Sequence, residues 1–126
     1  ADEVVLVRQW RYATGQALLE LPAGKLDPDE DPAVCAAREL EEETPYRAQS
    51  VRLLHTFYTA PGFCDEKMYL YLAEGITPTS TRKPDQDEFV ETVLLSRQAV
   101  REAIANNQIQ DGKTLVGLQY WLLNSK

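Results

Sequence analysis

The segment DPAVCAARELEEETP, residues 31–45, constrains the fold more than any other part of the chain. Asp31 followed by Pro32 is a typical helix start, because aspartate caps the first backbone N–H groups and proline fits the first helical position. Pro45 disfavours helical backbone in the residue before it, so the helix is predicted to end at about Thr44. The last turns of this helix carry four glutamates and one arginine.

The clustered negative charge of this helix needs an explanation, because like charges four residues apart destabilise a helix. Glu39 is predicted to face the same way as Glu42 and Glu43, which follow it by three and four residues. Two interpretations fit this pattern. The glutamates form a solvated acidic face, or they bind a hard divalent cation such as Mg²⁺, which prefers oxygen ligands.

Composition narrows the classes of function. The chain has 126 residues and a formal net charge of −7, which fits one globular domain and argues against a nucleic-acid groove, since such a groove needs a basic surface. Two cysteines, Cys35 and Cys64, are too few for a disulfide framework, and their spacing does not indicate zinc. Without a long apolar run or a signal-peptide pattern, we expect a soluble cytoplasmic protein that does not contact a membrane.

The remaining segments alternate between strand and helix patterns. β-Branched and aromatic runs predict strands, and Ser or Asp residues before apolar repeats predict helix starts. This order of elements predicts an α/β fold, an α/β/α sandwich around a mixed sheet, over a single domain of residues 1–126. Strands are predicted at 4–10, 17–21, 50–59, 67–74 and 89–96, and helices after Asp31, Ser96 and Asp111.

A longer spacing pattern surrounds the acidic helix. Gly24, Glu30 and the segment from Arg38 to Glu43 are spaced as G-x5-E-x7-R-E-L-x-E-E. Six fixed residues at this spacing match by chance with a probability on the order of 10⁻⁷ per starting point. The pattern resembles the signature of the Nudix hydrolases, G-x5-E-x7-R-E-U-x-E-E-x-G-U, where U is aliphatic or aromatic. Pro45 replaces the second glycine, so we expect the chain to leave this helix by a different route.

The resemblance implies a role for the residues of this Nudix box, residues 24–46. Glu39 and Glu43 would be the main Mg²⁺ ligands, with Glu42 as a third ligand or bound through water, and Mn²⁺ could substitute for Mg²⁺. Arg38 would orient the carboxylates through charge-assisted hydrogen bonds. In some members a backbone carbonyl joins the metal ligands, and the Ala23 carbonyl resembles it.

Other segments resemble the ADP-ribose pyrophosphatase branch of the family. RQWRYATGQALLELPAGKLD, residues 8–27, resembles the stretch before the box in that branch, and IQDGKTLVGLQYWLL, residues 109–123, resembles its last helix. A proline sixteen residues after the final glycine position of the box marks the branch, and Pro61 stands sixteen residues after Pro45. The resemblance therefore extends over nearly the whole chain.

Four residues outside the box are candidates for substrate binding. Arg11 matches a position where the family places an arginine on a substrate phosphate, although it could also be a surface charge at a strand end. Glu20 is interpreted either as a salt-bridge partner or as a site residue. Pro61 and Gly62 form a tight turn or, as the resemblance implies, shape the pocket for the terminal ribose.

The reaction also needs a base to activate water, and a carboxylate near the metal can take the proton. The family often supplies this glutamate from the loop before a late strand. Glu88 occupies that place, with Asp87 as the alternative, although both could belong to a charged surface loop. Glu88, Glu42 and Arg38 are therefore the candidate catalytic residues, and Glu30 is interpreted as a support for the metal ligands.

Close relatives carry an N-terminal β-module, which in many of them swaps across a homodimer and helps to hold the adenine. The chain printed here starts at Ala1, so we expect this module to be absent or trimmed, and we expect a homodimer. The resemblance implies Mg²⁺-dependent hydrolysis of ADP-ribose to AMP and ribose 5-phosphate. The alternatives are hydrolysis of another small nucleoside diphosphate derivative, such as a nucleotide sugar, and a non-catalytic module that senses a nucleotide.

Overall fold

The computed structural model describes residues 3–79 and 90–124, which form strands and helices in an α/β order. The predicted helices and the five longer predicted strands are present, and the α/β class is confirmed. Two strands of two residues each were not predicted, because so short a segment carries no periodic pattern. The elements are β1 Glu3–Arg11, β2 Gln16–Glu20, α1 Pro32–Glu43, β3 Tyr46–Arg47, β4 Ser50–Tyr58, β5 Lys67–Glu74, β6 Thr77–Pro78, β7 Val90–Ser96, α2 Arg97–Ala105 and α3 Gly112–Leu123.

The strands of the described ranges pair in three antiparallel sheets, and the parallel pair that makes a sheet mixed is not found within these ranges. The sheet orders are β2-β1-β7, β3-β6 and β4-β5. Two compact units can be distinguished. The terminal unit comprises Ala1–Leu21 with Pro84–Lys126, and the central unit comprises Pro22–Lys83. The single-domain expectation stays a prediction.

In the terminal unit, β1 is the middle strand of its sheet. Val7 pairs with Glu20 on one side and with Thr92 on the other. Leu6 and Val7 are both buried although successive side chains of a strand point to opposite faces. The centre of β1 is therefore covered on both faces, as its run of apolar residues predicted.

One face of this sheet packs against α2 and α3. The buried cluster consists of Leu6, Val100, Ala103, Ile109 and Leu118. Ser96 and Asp111 begin the two helices as predicted, because each side chain accepts a hydrogen bond from a backbone N–H three residues later. This core fixes the N-terminal end of α3, which carries part of the site described below.

In the central unit, α1 contacts β3, β4 and β5, with Cys35 and Leu40 as its buried apolar residues. The Asp31 side chain accepts a hydrogen bond from the Ala33 N–H and begins the helix as predicted. The helix ends at Thr44, whose hydroxyl and backbone N–H both donate to the Leu40 carbonyl. Within the described ranges, no helix is long and apolar enough to cross a membrane.

Candidate active site

Arg38 is the centre of the acidic cluster on α1. Its Nε and Nη2 donate to the two carboxylate oxygens of Glu30 at 3.0 and 2.9 Å. Glu30 also accepts a hydrogen bond from the Asp27 backbone N–H at 2.9 Å, so the loop before the helix is tied to the helix itself. This two-point contact keeps the planar guanidinium in one orientation. The supporting position inferred for Glu30 agrees with this geometry.

The other side of the Arg38 guanidinium contacts two of the candidate metal ligands. Nη1 donates to Glu39 at 3.1 Å and to Glu42 at 3.2 Å. The hydrogen bond with Glu30 raises the pKa of Arg38, and the hydrogen bond from Arg38 lowers the pKa of Glu30. Arg38 therefore lies between Glu30 on one side and Glu39 and Glu42 on the other, and its role in orienting metal ligands stays a prediction.

The surroundings of Gly24 explain why the first residue of the box is a glycine. A Cβ atom built at Gly24 would overlap the carboxylate end of Glu39. The backbone of Gly24 is not in the left-handed region, in contrast to Gly15 and Gly75, so its conformation does not require glycine. The requirement is a close approach between the loop and the Glu39 side chain.

Glu43 extends the cluster toward the same loop. The Ala23 backbone N–H donates to the Glu43 carboxylate at 3.2 Å, so two residues that the sequence analysis assigned to the metal are neighbours. Burial raises the pKa of Glu39, Arg38 lowers it and the charge of Glu42 raises it, with the net effect that the pKa lies above its ordinary value of 4.5. The ionised Glu39 is thus disfavoured where it lies, and a nearby cation would stabilise it.

The donor set of this cluster fits Mg²⁺. Glu39, Glu42 and Glu43 offer carboxylate oxygens, and Mg²⁺ prefers oxygen ligands at near-octahedral geometry. Among residues 3–79 and 90–124, no three acidic, histidine or cysteine side chains are already arranged around one metal position. Mg²⁺ usually binds through one or two carboxylates, substrate phosphates and water rather than through a complete protein cage, so this arrangement suits an ion that arrives with substrate.

In the terminal unit, the candidates Arg11 and Glu20 form an ion pair in which Glu20 is buried and Arg11 is partly exposed. Arg11 donates from Nε and Nη2 to the two Glu20 oxygens at 2.7 and 2.6 Å. Lys113 Nζ donates to the same carboxylate at 2.9 Å. The Glu20 side chain is 2% exposed, whereas the Arg11 side chain is 44% exposed. Of the two interpretations left open for Glu20, the salt bridge is therefore present.

Lys113 was not identified from the sequence as a site residue. It lies ninety-three residues from Glu20, and no local pattern signals a contact over that separation. Its neighbour Asp111, recognised only as a helix cap, accepts from Lys113 Nζ at 2.8 Å and from the Thr114 hydroxyl at 2.6 Å. Hydrogen bonds to Asp111 and Glu20 outweigh the effect of burial and raise the pKa of Lys113.

The structure says less about the remaining candidate residues, which are Pro61, Gly62, Glu88 and Asp87. Pro61 and Gly62 lie in an exposed turn, in which the Ala60 carbonyl accepts from the backbone N–H groups of Phe63 and Cys64 at 2.8 and 3.0 Å. The tight turn is thus present, and the role in a ribose pocket stays a prediction. The candidate bases Glu88 and Asp87 lie outside the described residues.

The ion pair of Glu20 predicts a pH-dependent contribution to stability. Burial raises the pKa of Glu20, but hydrogen bonds from Arg11 and Lys113 outweigh burial and hold the pKa below its ordinary value of 4.5. Because its pKa is lowered in the folded protein, the Glu20 carboxylate contributes its full stabilisation above pH 4.5. This contribution is lost as the pH falls through the lowered pKa. We expect Glu20→Gln to reduce the free energy of unfolding by roughly 2 kcal/mol at neutral pH, less than for a fully buried pair because Arg11 is partly exposed.

Urea unfolding of both proteins from pH 7 to pH 3 measures this difference. The difference in the free energy of unfolding between the original protein and Glu20→Gln should become smaller as the pH falls below 4.5. Glu91→Gln is the matched control. Glu91 forms an ion pair at 2.7 Å with Arg8, which lies on β1 as Arg11 does, but both side chains of this pair are exposed. Glu91→Gln should reduce the free energy of unfolding by less than about 1 kcal/mol at every pH. A gap for Glu20→Gln that does not change with pH would contradict the prediction.

The close approach of Gly24 to Glu39 predicts a selective loss of activity. In Gly24→Ala the new methyl group would displace the Glu39 carboxylate, which is the end of a flexible side chain, so we expect little loss of stability. We expect metal-dependent turnover to fall by at least about tenfold, because the carboxylate that is predicted to bind the metal would be moved by roughly 1 Å. Gly112→Ala is the control, since a Cβ there meets nothing within 4 Å. Equal turnover in the two variants would disprove the steric argument.

Comparison with known proteins agrees with this geometry. Residues 1–115 match the model of the NUDIX domain. The chain is 40% identical over 120 residues to a methanol dehydrogenase activator of Bacillus methanolicus, covering 94% of this chain and 65% of that protein. It is 36% identical over 119 residues to an ADP-ribose pyrophosphatase of Bacillus subtilis (strain 168), covering 94% and 64%.

A further relative is a GDP-mannose pyrophosphatase of Klebsiella pneumoniae, 36% identical over 125 residues, covering 93% of this chain and 63% of that protein. The chain thus spans less than two-thirds of the length of these relatives. Among solved structures, that of an ADP compounds hydrolase superposes with a TM-score of 0.83 at 24% identity, covering 97% of this chain and 67% of the other, which shows the same fold. The family model, matched over most of the sequence, and the geometry of the box agree: this chain belongs to the NUDIX domain family.

Proposed function

We propose that this chain is a Mg²⁺-dependent hydrolase that cleaves the pyrophosphate bond of ADP-ribose. The observation that carries the proposal is that the box glutamates are all present and that Arg38 holds three of them, Glu30 on one side and Glu39 and Glu42 on the other. Similarity to an ADP-ribose pyrophosphatase supports the choice of substrate. Members of the family generally use divalent metal ions, and the carboxylate donors favour Mg²⁺, with Mn²⁺ as a substitute.

The proposed reaction is a hydrolysis at phosphorus. Water adds to one phosphorus, the bond from that phosphorus to the bridging oxygen breaks, and the released phosphate keeps the bridging oxygen. The products are AMP and ribose 5-phosphate. A base takes the proton of the attacking water, and Glu88 stays the proposed base with Asp87 as the alternative.

Each box residue has a proposed task in this reaction. Glu39 and Glu43 would hold Mg²⁺, with Glu42 as a third ligand and the Ala23 carbonyl as a backbone ligand. Bound Mg²⁺ supplies Lewis-acid stabilisation of the phosphate oxygens and lowers the pKa of water. Arg38 holds Glu39 and Glu42 in place, so the carboxylates do not have to reorganise during the reaction.

Residues outside the box have proposed tasks as well. Arg11 is partly exposed and would contact a substrate phosphate. Pro61 and Gly62 would shape the ribose pocket. A homodimer belongs to the same proposal and rests on the resemblance to the pyrophosphatase branch. A cytoplasmic location is also part of the proposal, as expected from the sequence. No role for nucleic acid or a membrane is part of the proposal.

A second substrate class has specific support. The similarity to a GDP-mannose pyrophosphatase favours a nucleotide sugar as the alternative substrate. The similarity to a methanol dehydrogenase activator leaves a module that acts on a partner protein as a further alternative. A purely nucleotide-sensing module would not need every box glutamate, and this chain retains all of them.

The proposed substrate predicts the order of turnover rates. Purified protein with Mg²⁺ should release AMP from ADP-ribose faster than it cleaves ADP-glucose, GDP-mannose, NADH or diadenosine polyphosphates, and EDTA should abolish the activity. Faster cleavage of GDP-mannose would replace ADP-ribose with a nucleotide sugar. Tight binding of ADP-ribose without turnover would favour the sensing module.

The metal role of Glu43 is tested by Glu43→Gln, which keeps the shape of the side chain and removes its charge. We expect kcat to fall by about three orders of magnitude or more, because one ligand of a catalytic cation is lost. Glu41→Gln is the matched control, since Glu41 lies on the same helix but points to the exposed Arg47 at 3.8 Å. It should keep near-normal turnover. Near-normal turnover in Glu43→Gln would remove this helix from the mechanism.

A further inference from the structure

We propose that Lys113 and Glu20 are positioning residues, which hold the Arg11 guanidinium in the orientation that receives a substrate phosphate. The proposal rests on the proposed function, in which Arg11 contacts that phosphate. Sequence reasoning gave no role to Lys113 and left Glu20 undecided. The structure joins the three side chains in one hydrogen-bonded row, from Lys113 through Glu20 to Arg11.

Glu20 is the buried residue of this row, and its charge is not that of an ordinary surface carboxylate. Glu20 is 2% exposed, and an ionised carboxylate at such a place needs cationic partners and hydrogen bonds. Arg11 occupies both oxygens in a two-point contact, which fixes the plane of the guanidinium as well as its distance. The direction of the Arg11 side chain is therefore set by Glu20.

Lys113 in turn fixes Glu20. Its Nζ donates to the Glu20 oxygen Oε1, to which Arg11 Nη2 also donates, so that oxygen is held from two sides. Lys113 is 18% exposed and its ammonium is held by Asp111 at 2.8 Å. Asp111 caps α3, and the Thr114 hydroxyl of that helix accepts from the Leu21 backbone N–H at 2.9 Å. The row is thus anchored at the junction of β2 with the N-terminal end of α3.

A second cation stabilises the buried carboxylate of Glu20. Arg11 is partly exposed, so by itself it would leave this carboxylate poorly compensated. Lys113 adds a less exposed positive charge beside Glu20, and Asp111, which accepts from Lys113 Nζ, lies at a helix N-terminus where the helix dipole stabilises its negative charge. The two cations thus balance the two carboxylates, and Glu20 stays ionised and able to hold Arg11.

Arg8 on the same strand shows what an ordinary surface pair looks like. It contacts Glu91 at 2.7 Å through Nη1, with side chains 43% and 66% exposed. Only one donor of Arg8 contacts that carboxylate, and Glu91 is far more exposed than Glu20. This pair is a control within the same sheet. It has the same charges, but its carboxylate is exposed, and among the described residues no second cation pairs with it.

The test compares Lys113→Met, which removes the charge but keeps an unbranched side chain of similar size, with Lys113→Arg, which restores a cation. We expect Lys113→Met to raise KM about tenfold with kcat changed by less than about threefold, because a loosened Arg11 weakens phosphate binding. Lys113→Arg should recover most of the loss. In an Arg11→Ala background, Lys113→Met should have no further effect on KM, since the residue through which it acts is gone.

A second measurement needs no substrate. The Nε–Hε group of Arg11 donates to Glu20, so its hydrogen should exchange slowly in ¹⁵N NMR spectra. We expect Lys113→Met to speed this exchange by about tenfold, and Glu91→Gln to leave it and KM unchanged. A circular dichroism melt of each variant establishes that the fold is intact.

The outcomes separate this proposal from the proposed function. Unchanged exchange at Arg11 and unchanged KM in Lys113→Met would overturn the positioning role, whatever the substrate is. Additive effects of Lys113→Met and Arg11→Ala on KM would overturn it as well. If no nucleoside diphosphate compound is cleaved, the proposed function fails, while faster exchange in Lys113→Met would still support the fixing of Arg11 by Lys113 and Glu20.

Discussion

The contact between Arg38 and Glu30 is the interaction on which the rest of the box depends. Four glutamates near the end of one helix repel one another, and a cation within the cluster offsets that repulsion. Arg38 supplies this cation, and Glu30 holds it by two hydrogen bonds at 2.9 and 3.0 Å so that its other edge meets Glu39 and Glu42. The loop, the helix start and the carboxylates are thereby fixed by one side chain.

The terminal unit uses the same physical rule with the charges reversed. There a buried carboxylate, Glu20, lies between two cations, Arg11 and Lys113. A buried charge is tolerated only when its partners satisfy it, so each partner is also held in place. In both units the geometry of the charged residues is fixed before a ligand arrives, and such preorganisation would favour the proposed binding of metal by the box glutamates and of phosphate by Arg11.

Much of the fold was predictable because its signals are local. Asp31 and Pro32 start a helix through a cap and a fixed backbone angle, and Pro45 ends it through a steric clash, so these bounds could be placed within a residue or two. The long strands were predictable from their β-branched and aromatic runs. The two-residue strands β3 and β6 were not, since they exist only because two distant segments meet.

The amino-acid order alone was enough to indicate a metal-binding box, because the spacing of Gly24, Glu30 and the glutamates of α1 is set by one loop and one helix. The contacts of Arg38 with Glu30, Glu39 and Glu42 could also be expected, because these residues lie within eight positions of Arg38 in the chain. The contact of Lys113 with Glu20 and the close approach of Gly24 to Glu39 could be seen only in the folded chain. The physical reason is that these contacts form when separate elements pack together, and no local pattern of residues records which side chains then meet.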